Sequence, residues 1–285
     1  VISKDELLES ARIFGIGLDV VEKDYVLGWF LVAINQDKDL RGSWIFKGGT
    51  CLKKCFLETD RFSEDLDFTL KESSYLNEGY LVSKFREISK WLYEYSGIEI
   101  PEEAIKFEVY KNRSGSPAAQ GKIAYNGPSK RKIVTSLPRV KFDLLADELI
   151  VTDTVESKIK HSYSDYQEEL FIAQSYSYVE IFAEKLRALS ERGRPRDLYD
   201  VVHIYNNEVL RPSHKELFRV LALKCDFKKA NLPTKDLVKS ADRLVELRAD
   251  WDSMLSHQLS DLPSVDYFLG ELDKLLAWLF EEVDE

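Results

Sequence analysis

The sequence predicts an α+β protein: a mixed sheet flanked by helices, followed by a C-terminal helical domain. Three observations carry this. As far as Tyr95, stretches of helical spacing alternate with short runs of strand character. From Ile98 to about Leu145 the texture turns to β, with short apolar-polar alternations separated by turn residues. Beyond Ser175 helical spacing continues almost to the end, which places a boundary near that residue and predicts domains over 1–175 and 176–285.

Taken in order, the N-terminal stretch to about Asn35 reads as helices. Asp19 is a candidate cap for one whose stripe includes Val20, Val21, Tyr25, Val26, Trp29, Phe30 and Val32. Trp44-Ile45-Phe46 is a short buried strand ended by Lys47-Gly48-Gly49, and helical spacing resumes from Thr50 to Leu57. Glu64 to Leu70 alternates as a strand does, and Leu76 to Tyr95 fits a long amphipathic helix. Strands are expected over 105–110, 122–125 and 139–145, with turns at Ser114-Gly115-Ser116-Pro117 and Asn126-Gly127-Pro128. Helices follow over 178–190, 195–206, 213–224, 234–256 and 264–282, with Pro195 suited to a first turn.

Composition narrows the function classes. The chain has 285 residues and a formal net charge of −10, which argues against a surface coated for nucleic acid. The average hides an asymmetry: Val109 to Phe142 holds eight basic residues (Lys111, Arg113, Lys122, Lys130, Arg131, Lys132, Arg139 and Lys141) and no acidic one. A second cluster, Lys185 to Arg196, has five basic residues against Glu191 alone, while the stretch from Asp261 onward is acidic. This polarity points to a local anion site on an acidic body. Three cysteines are too few for a disulfide framework, and the four scattered histidines form no zinc pattern. No apolar run is long enough to span a bilayer, and the first residues lack a signal-peptide layout, so a cytoplasmic protein without membrane contact is expected.

Two features carry chemistry. Asp65 and Asp67 lie two apart on a strand, so both carboxylates face one side while Leu66 and Phe68 face the core. Like charges held this close repel unless a cation sits between them, and oxygen ligands of this kind suit Mg²⁺. An exposed strand end would show the same pattern. Upstream, Phe46-Lys47-Gly48-Gly49-Thr50 is strand, glycine turn and helix start, where backbone N–H groups can approach an anion and Thr50 can cap the helix and offer its hydroxyl to a phosphate. An ordinary N-cap after a tight turn is the plainer reading. The combination, a Gly-Gly-Thr turn with the two-aspartate strand 15 residues past Thr50, is far more specific than either part.

Phe46-Lys47-Gly48-Gly49-Thr50, followed by Arg61-Phe62-Ser63-Glu64-Asp65-Leu66-Asp67-Phe68, resembles the motif of polymerase-beta-type nucleotidyltransferases, and within them the AbiEii/AbiGii toxin branch of type IV toxin–antitoxin systems. Val179 to Leu189 and Arg194 to Val201 resemble the same branch, so the likeness covers roughly Trp44 to Val201. It implies a nucleotidyltransferase domain over 1–175 and a metal site completed by a third carboxylate on a later strand. Asp143, in Val140-Lys141-Phe142-Asp143-Leu144, is the best candidate, with Asp147 second. Asp65, Asp67 and Asp143 would then hold two Mg²⁺ ions. Lys47, Gly48, Gly49 and Thr50 would meet substrate. In the helical domain the resemblance marks Lys185 and Asp200, Lys185 as a point charge on a phosphate. Arg196 is a further substrate candidate, or else ties its helix to a neighbour together with Asp197.

The expected reaction is transfer of a nucleoside monophosphate (NMP) from a nucleoside triphosphate (NTP) to RNA, at the tRNA acceptor end, releasing pyrophosphate. The tRNA part rests on the resemblance alone. Transfer to a protein or small molecule, and an inert nucleotide- or partner-binding module, remain open alternatives. A cognate antitoxin encoded nearby is expected, without a tight complex.

Overall fold

The alternation at Asp65 to Leu70 becomes a central strand because its apolar residues find an aromatic layer on one side of the sheet. The computed structural model describes residues 1–57, 61–112, 114–131 and 137–281. Two compact units form, one of Val1–Glu148 with Thr154–Ser175, the other of Leu149–Asp153 with Tyr176–Glu285.

In the first unit, helices α1 (Lys4–Phe14) and α2 (Leu18–Gln36) precede β1 (Trp44–Lys47). A single α turn, α3 (Gly48–Cys51), passes into a π-helical turn over Leu52–Phe56. There follow β2 (Asp65–Leu70), α4 (Glu78–Ser96), β3 (Ile105–Lys111), β4 (Pro117–Ala124), β5 (Arg139–Leu145), β6 (Val155–Lys158) and β7 (Ile172–Ser175). The seven strands form one mixed sheet in the order β3-β4-β5-β2-β1-β7-β6. β2 runs parallel to β5 and β1 to β7; the other neighbours are antiparallel.

One face of this sheet is apolar. Phe142 of β5 meets Phe30 of α2 with ring centroids 5.3 Å apart and Phe85 of α4 at 4.9 Å. Phe107, Phe68 and Trp44 continue the layer, each with Phe85 or its neighbours. Edge-on and tilted pairs of this kind add about 0.5–1.5 kcal/mol each beyond their burial. The opposite face carries the polar residues of β2 and β5.

Local chemistry departs from the sequence expectation in several places. The cap of α2 is Gly17, with Asp19 in the first turn, where its charge favours the helix N-terminus without a side-chain cap bond. Thr50 lies inside α3 rather than capping it; Lys47 holds the cap position. β4 begins at Pro117, five residues earlier than its apolar pattern indicates. The residues before Lys122 include Ala118, Ala119 and Gly121, small residues that read poorly as strand but sit between two neighbours, with the Phe107 ring packed against Gly121. β6 and β7 are four residues each, too short and too polar to show a period. The expected helix over 234–256 is two: α8 (Lys235–Val238) and α9 (Ala241–Leu255), the second starting from Ser240.

The second unit contains α5 (Tyr178–Arg192), α6 (Pro195–Asn206), α7 (His214–Lys228), α8, α9 and α10 (Val265–Leu279). Buried Glu180 accepts bonds from the backbone N–H groups of Val151 (3.1 Å) and Thr152 (2.9 Å), and pairs with Lys224 Nζ at 2.7 Å. Lys224 also donates to the Leu149 carbonyl at 3.0 Å. These bonds are why a five-residue stretch ahead of β6 belongs with the helices. Among the described residues, no helix is long and apolar enough to cross a membrane.

Candidate active site

The polar face of the sheet is organised by strand register. Asp65 and Asp67 share a face because they are two apart on β2. Pairing with β5 sets Asp67 directly opposite Asp143 and Asp65 opposite Lys141, while on the other side β1 sets Lys47 opposite Asp67. Three candidate carboxylates thus occupy adjoining positions on the open face of two parallel strands, each half-buried.

Asp143 is firmly held. Lys141 Nζ lies 2.7 Å from its Oδ2, and Gln120 Nε2, from the facing position on β4, donates to its Oδ1 at 3.1 Å. Burial works against the Lys141 charge, yet the bond to Asp143 and the charges of Asp143, Asp65 and Asp67 outweigh it and raise the lysine pKa above its ordinary value. The cluster therefore already favours a cation. Among the described residues, no three His, Cys, Asp or Glu side chains converge as a ready-made metal cage. The arrangement instead fits a hard divalent ion that takes one or two carboxylates and completes its shell with substrate oxygens.

The glycine turn is built against this site. Gly48 has φ +80°, and a Cβ placed on it would lie 2.2 Å from Asp67 Oδ2 and 2.9 Å from Asp67 Cγ. Only glycine satisfies both the left-handed backbone and the contact. Thr50, 1% exposed, donates its hydroxyl to the Asp65 carbonyl, fixing the turn to β2. Lys47 is buried, with Nζ 3.9 Å from Glu148 Oε1. Asp147, the second choice for a third carboxylate, accepts from Ser114 Oγ at 2.6 Å and closes the turn between β3 and β4.

In the helical unit, Lys185 and Asp200 do meet: Nζ lies 2.7 Å from Asp200 Oδ2 and 3.8 Å from Asp197 Oδ1. The Arg192-Gly193-Arg194 link turns α6 back along α5, with Gly193 at φ +56°. Asp197 is taken by Arg192 in two bonds, at 2.7 and 2.8 Å. Arg196 donates to the Met254 carbonyl at 3.4 Å, which ties its helix to the end of α9.

The basic stretch is less uniform than its sequence. Arg113 and Lys132 lie outside the described residues. Lys130 pairs with Glu99 at 3.3 Å, and Arg131 pairs with Asp19 and with Glu22. Their acids come from distant segments, invisible to a local charge count. Gln120 was not among the sequence candidates; the alternation Ala118, Gln120, Lys122 is the signal that would have placed it on the open face.

A family model described as nucleotidyl transferase AbiEii toxin, type IV toxin–antitoxin system, matches residues 29–283. No curated protein sequence matches the chain. Among solved structures, MenT4, a nucleotidyltransferase toxin from Mycobacterium tuberculosis H37Rv, is similar over 100% of this chain and 91% of that one, with 18% identity and a TM-score of 0.64. That likeness is one of fold. The family match is one of sequence and spans nearly the whole chain: the protein belongs to the AbiEii nucleotidyltransferase toxins of type IV toxin–antitoxin systems and is a nucleotidyltransferase.

Proposed function

We propose that this nucleotidyltransferase moves an NMP from an NTP to RNA, at the tRNA acceptor end, in a Mg²⁺-dependent reaction that releases pyrophosphate. The observation that supports it most is the placing of Asp65, Asp67 and Asp143 on one open sheet face, with the Gly48 turn packed against Asp67. In the reaction the acceptor hydroxyl oxygen forms a bond to the α-phosphorus. The bond from that phosphorus to the β-phosphate oxygen breaks, pyrophosphate leaves with the electron pair, and the hydroxyl proton passes to water. Both Asp143 oxygens are already engaged, which favours water over this carboxylate as the proton's destination.

Asp65 and Asp67 would hold the divalent ions, with Asp143 beside them. Ions bound there supply charge neutralisation for the phosphates and acidify the acceptor hydroxyl. The protein's own part is positioning. Gly48 lets Asp67 lie close to the turn, and Lys47, Gly48 and Gly49 would meet the substrate phosphates. Thr50 acts by fixing β2. Lys185 serves the same reaction as a cation for the triphosphate, and Asp200 holds its ammonium in one place. Arg196 we assign to packing, on its bond to α9. A cytoplasmic toxin with a neighbouring antitoxin that does not form a tight complex completes the reading; co-purification of a stoichiometric partner would refute that last part.

The test is incubation of the full chain with each α-labelled NTP, Mg²⁺ and total RNA. Label is expected in RNA of tRNA size, and is expected to vanish in Asp65→Ala and Asp67→Ala. Label appearing only in protein or small molecules would overturn the RNA acceptor, and its absence from every fraction would overturn the transfer.

A further inference from the structure

The register that assembles the carboxylates also assembles cations. Lys106 on β3 faces Lys122 on β4, Lys122 faces Lys141 on β5, and Lys141 faces Asp65. Directly opposed residues share a face, so a row of three lysines runs from the sheet edge to the first catalytic aspartate. Arg139, two residues before Lys141 on the same face, lies beside this row. Lys106, Lys122 and Arg139, with Pro101, Glu103, Ala104, Ala124 and Leu137, line an open pocket of about 390 Å³.

Lys106, Lys122 and Arg139 differ from three of the basic residues nearby. Lys130, Arg131 and Lys141 each have a carboxylate partner. Among the described residues, Lys106, Lys122 and Arg139 make no ion pair, and all three are exposed. Like charges directly opposite one another destabilise a sheet. A chain with 50 acidic residues has ample means to neutralise them, yet among the described residues Glu103 is the one acidic residue that lines this pocket. Protection of a sheet edge explains a lysine on edge strand β3. It does not explain Lys122 and Arg139, which lie on interior strands.

We propose that Lys106, Lys122 and Arg139 bind the phosphodiester backbone of the RNA acceptor as it leads to the carboxylates. This rests on the RNA reading above and names how that acceptor is held. With neighbouring strands about 4.8 Å apart, the pocket's Lys122 stands roughly 10 Å across the sheet from Asp65. A triphosphate confined to the pocket would miss the carboxylates, whereas a polymer with its reactive end at Asp65 and Asp67 spans the distance and brings one negative charge per nucleotide. Backbone contacts of this kind position a strand without reading its sequence.

The experiment measures binding alone, by anisotropy of 5′-labelled bulk tRNA with the full chain between 50 and 200 mM KCl, without NTP. The variant Lys106→Gln/Lys122→Gln/Arg139→Gln is expected to flatten the slope of log affinity against log salt by about 2 to 3, and to lose about 100-fold in affinity near 0.1 M salt. Lys106→Arg/Lys122→Arg should bind as the wild type does. Lys130→Gln, whose lysine is already paired, should leave the slope unchanged. A slope equal to wild type in the triple variant, no tRNA binding by the wild type, or equal competition by poly-glutamate would each overturn the proposal. Transfer of label decides the catalytic reading separately, so a protein that labels RNA with an unchanged salt slope refutes this surface and leaves that reading standing.

Discussion

Replacing Gly48 with alanine tests whether the turn exists to seat Asp67. The added methyl would begin 2.2 Å from Asp67 Oδ2, and an ordinary contact starts near 3.4 Å, so the carboxylate or the turn must move by about 1 Å. Holding alanine at φ +80° costs about 1–2 kcal/mol. Forcing Asp67 off its rotamer adds about 1 kcal/mol. The total, about 2–3 kcal/mol, lowers the melting temperature by roughly 5–10 °C for a unit of this size. A 1 Å misplacement at a reacting centre costs about 100-fold in rate. We therefore expect Gly48→Ala to remain folded at 25 °C and to transfer label about 100-fold more slowly. The measurements are urea denaturation and initial rates with labelled NTP. In an Asp67→Ala background the contact with the carboxylate is gone, so the stability cost should shrink by about 1 kcal/mol, a coupling visible in a double-mutant cycle. Equal costs in both backgrounds, or transfer within twofold of wild type, would refute the link between the turn and Asp67.

Two further outcomes follow from buried charge. Lys185→Met deprives the 2%-exposed Asp200 of the ammonium 2.7 Å from its Oδ2 and should destabilise the protein by about 3 kcal/mol. Pairing it with Asp200→Leu should recover most of that stability by denaturation, yet leave transfer at the low level of either single variant; recovered transfer would make the pair structural only. His161 is buried against Tyr25, Trp29, Tyr163 and Phe171, and burial lowers its pKa from 6.5 to about 4 although Asp165 accepts its hydrogen bond. Its folded pKa lies below the unfolded one, so its contribution is fully present above pH 6.5 and is lost as pH falls toward 4. About 2–3 kcal/mol should disappear between pH 7 and 4.5, and that acid limb should be absent in His161→Gln; parallel urea titrations at the two pH values decide it.

What the sequence made legible was periodicity, and what it concealed was register. β5 begins and ends where its alternation does, since every second residue from Val140 to Leu144 is buried and the others are not. α6 likewise spans its expected range, opened by Pro195 in the first turn. β4 was half-legible, because Ala118, Ala119 and Gly121 owe their strand conformation to two flanking strands rather than to their own preference. β6 and β7 carry no signal of their own; β7 is a strand because it lies between β1 and β6, and β6 because β7 pairs it at the sheet edge. The charge count between Val109 and Phe142 misled in the same way, since Glu99, Asp19 and Glu22 neutralise Lys130 and Arg131 from outside the segment.

The same distinction explains the site. Two aspartates two apart on a strand are ordinary, and period alone cannot say which face of which neighbour they meet. Parallel pairing of β2 with β5 places Asp143 opposite Asp67 and Lys141 opposite Asp65; a slip of one residue would set Phe142 or Leu144 there and send the carboxylate to the aromatic layer. That register is pinned from both sides. Phe142 is wedged between Phe30 and Phe85 on the apolar face, and Gln120 and Lys141 hold Asp143 on the polar one. Aromatic packing behind the sheet therefore sets the spacing of the carboxylates in front of it. On its other side β5 pairs with β4, where Gln120 donates to Asp143 and sets Lys122 opposite Lys141, so one strand carries both the third carboxylate and a member of the basic row.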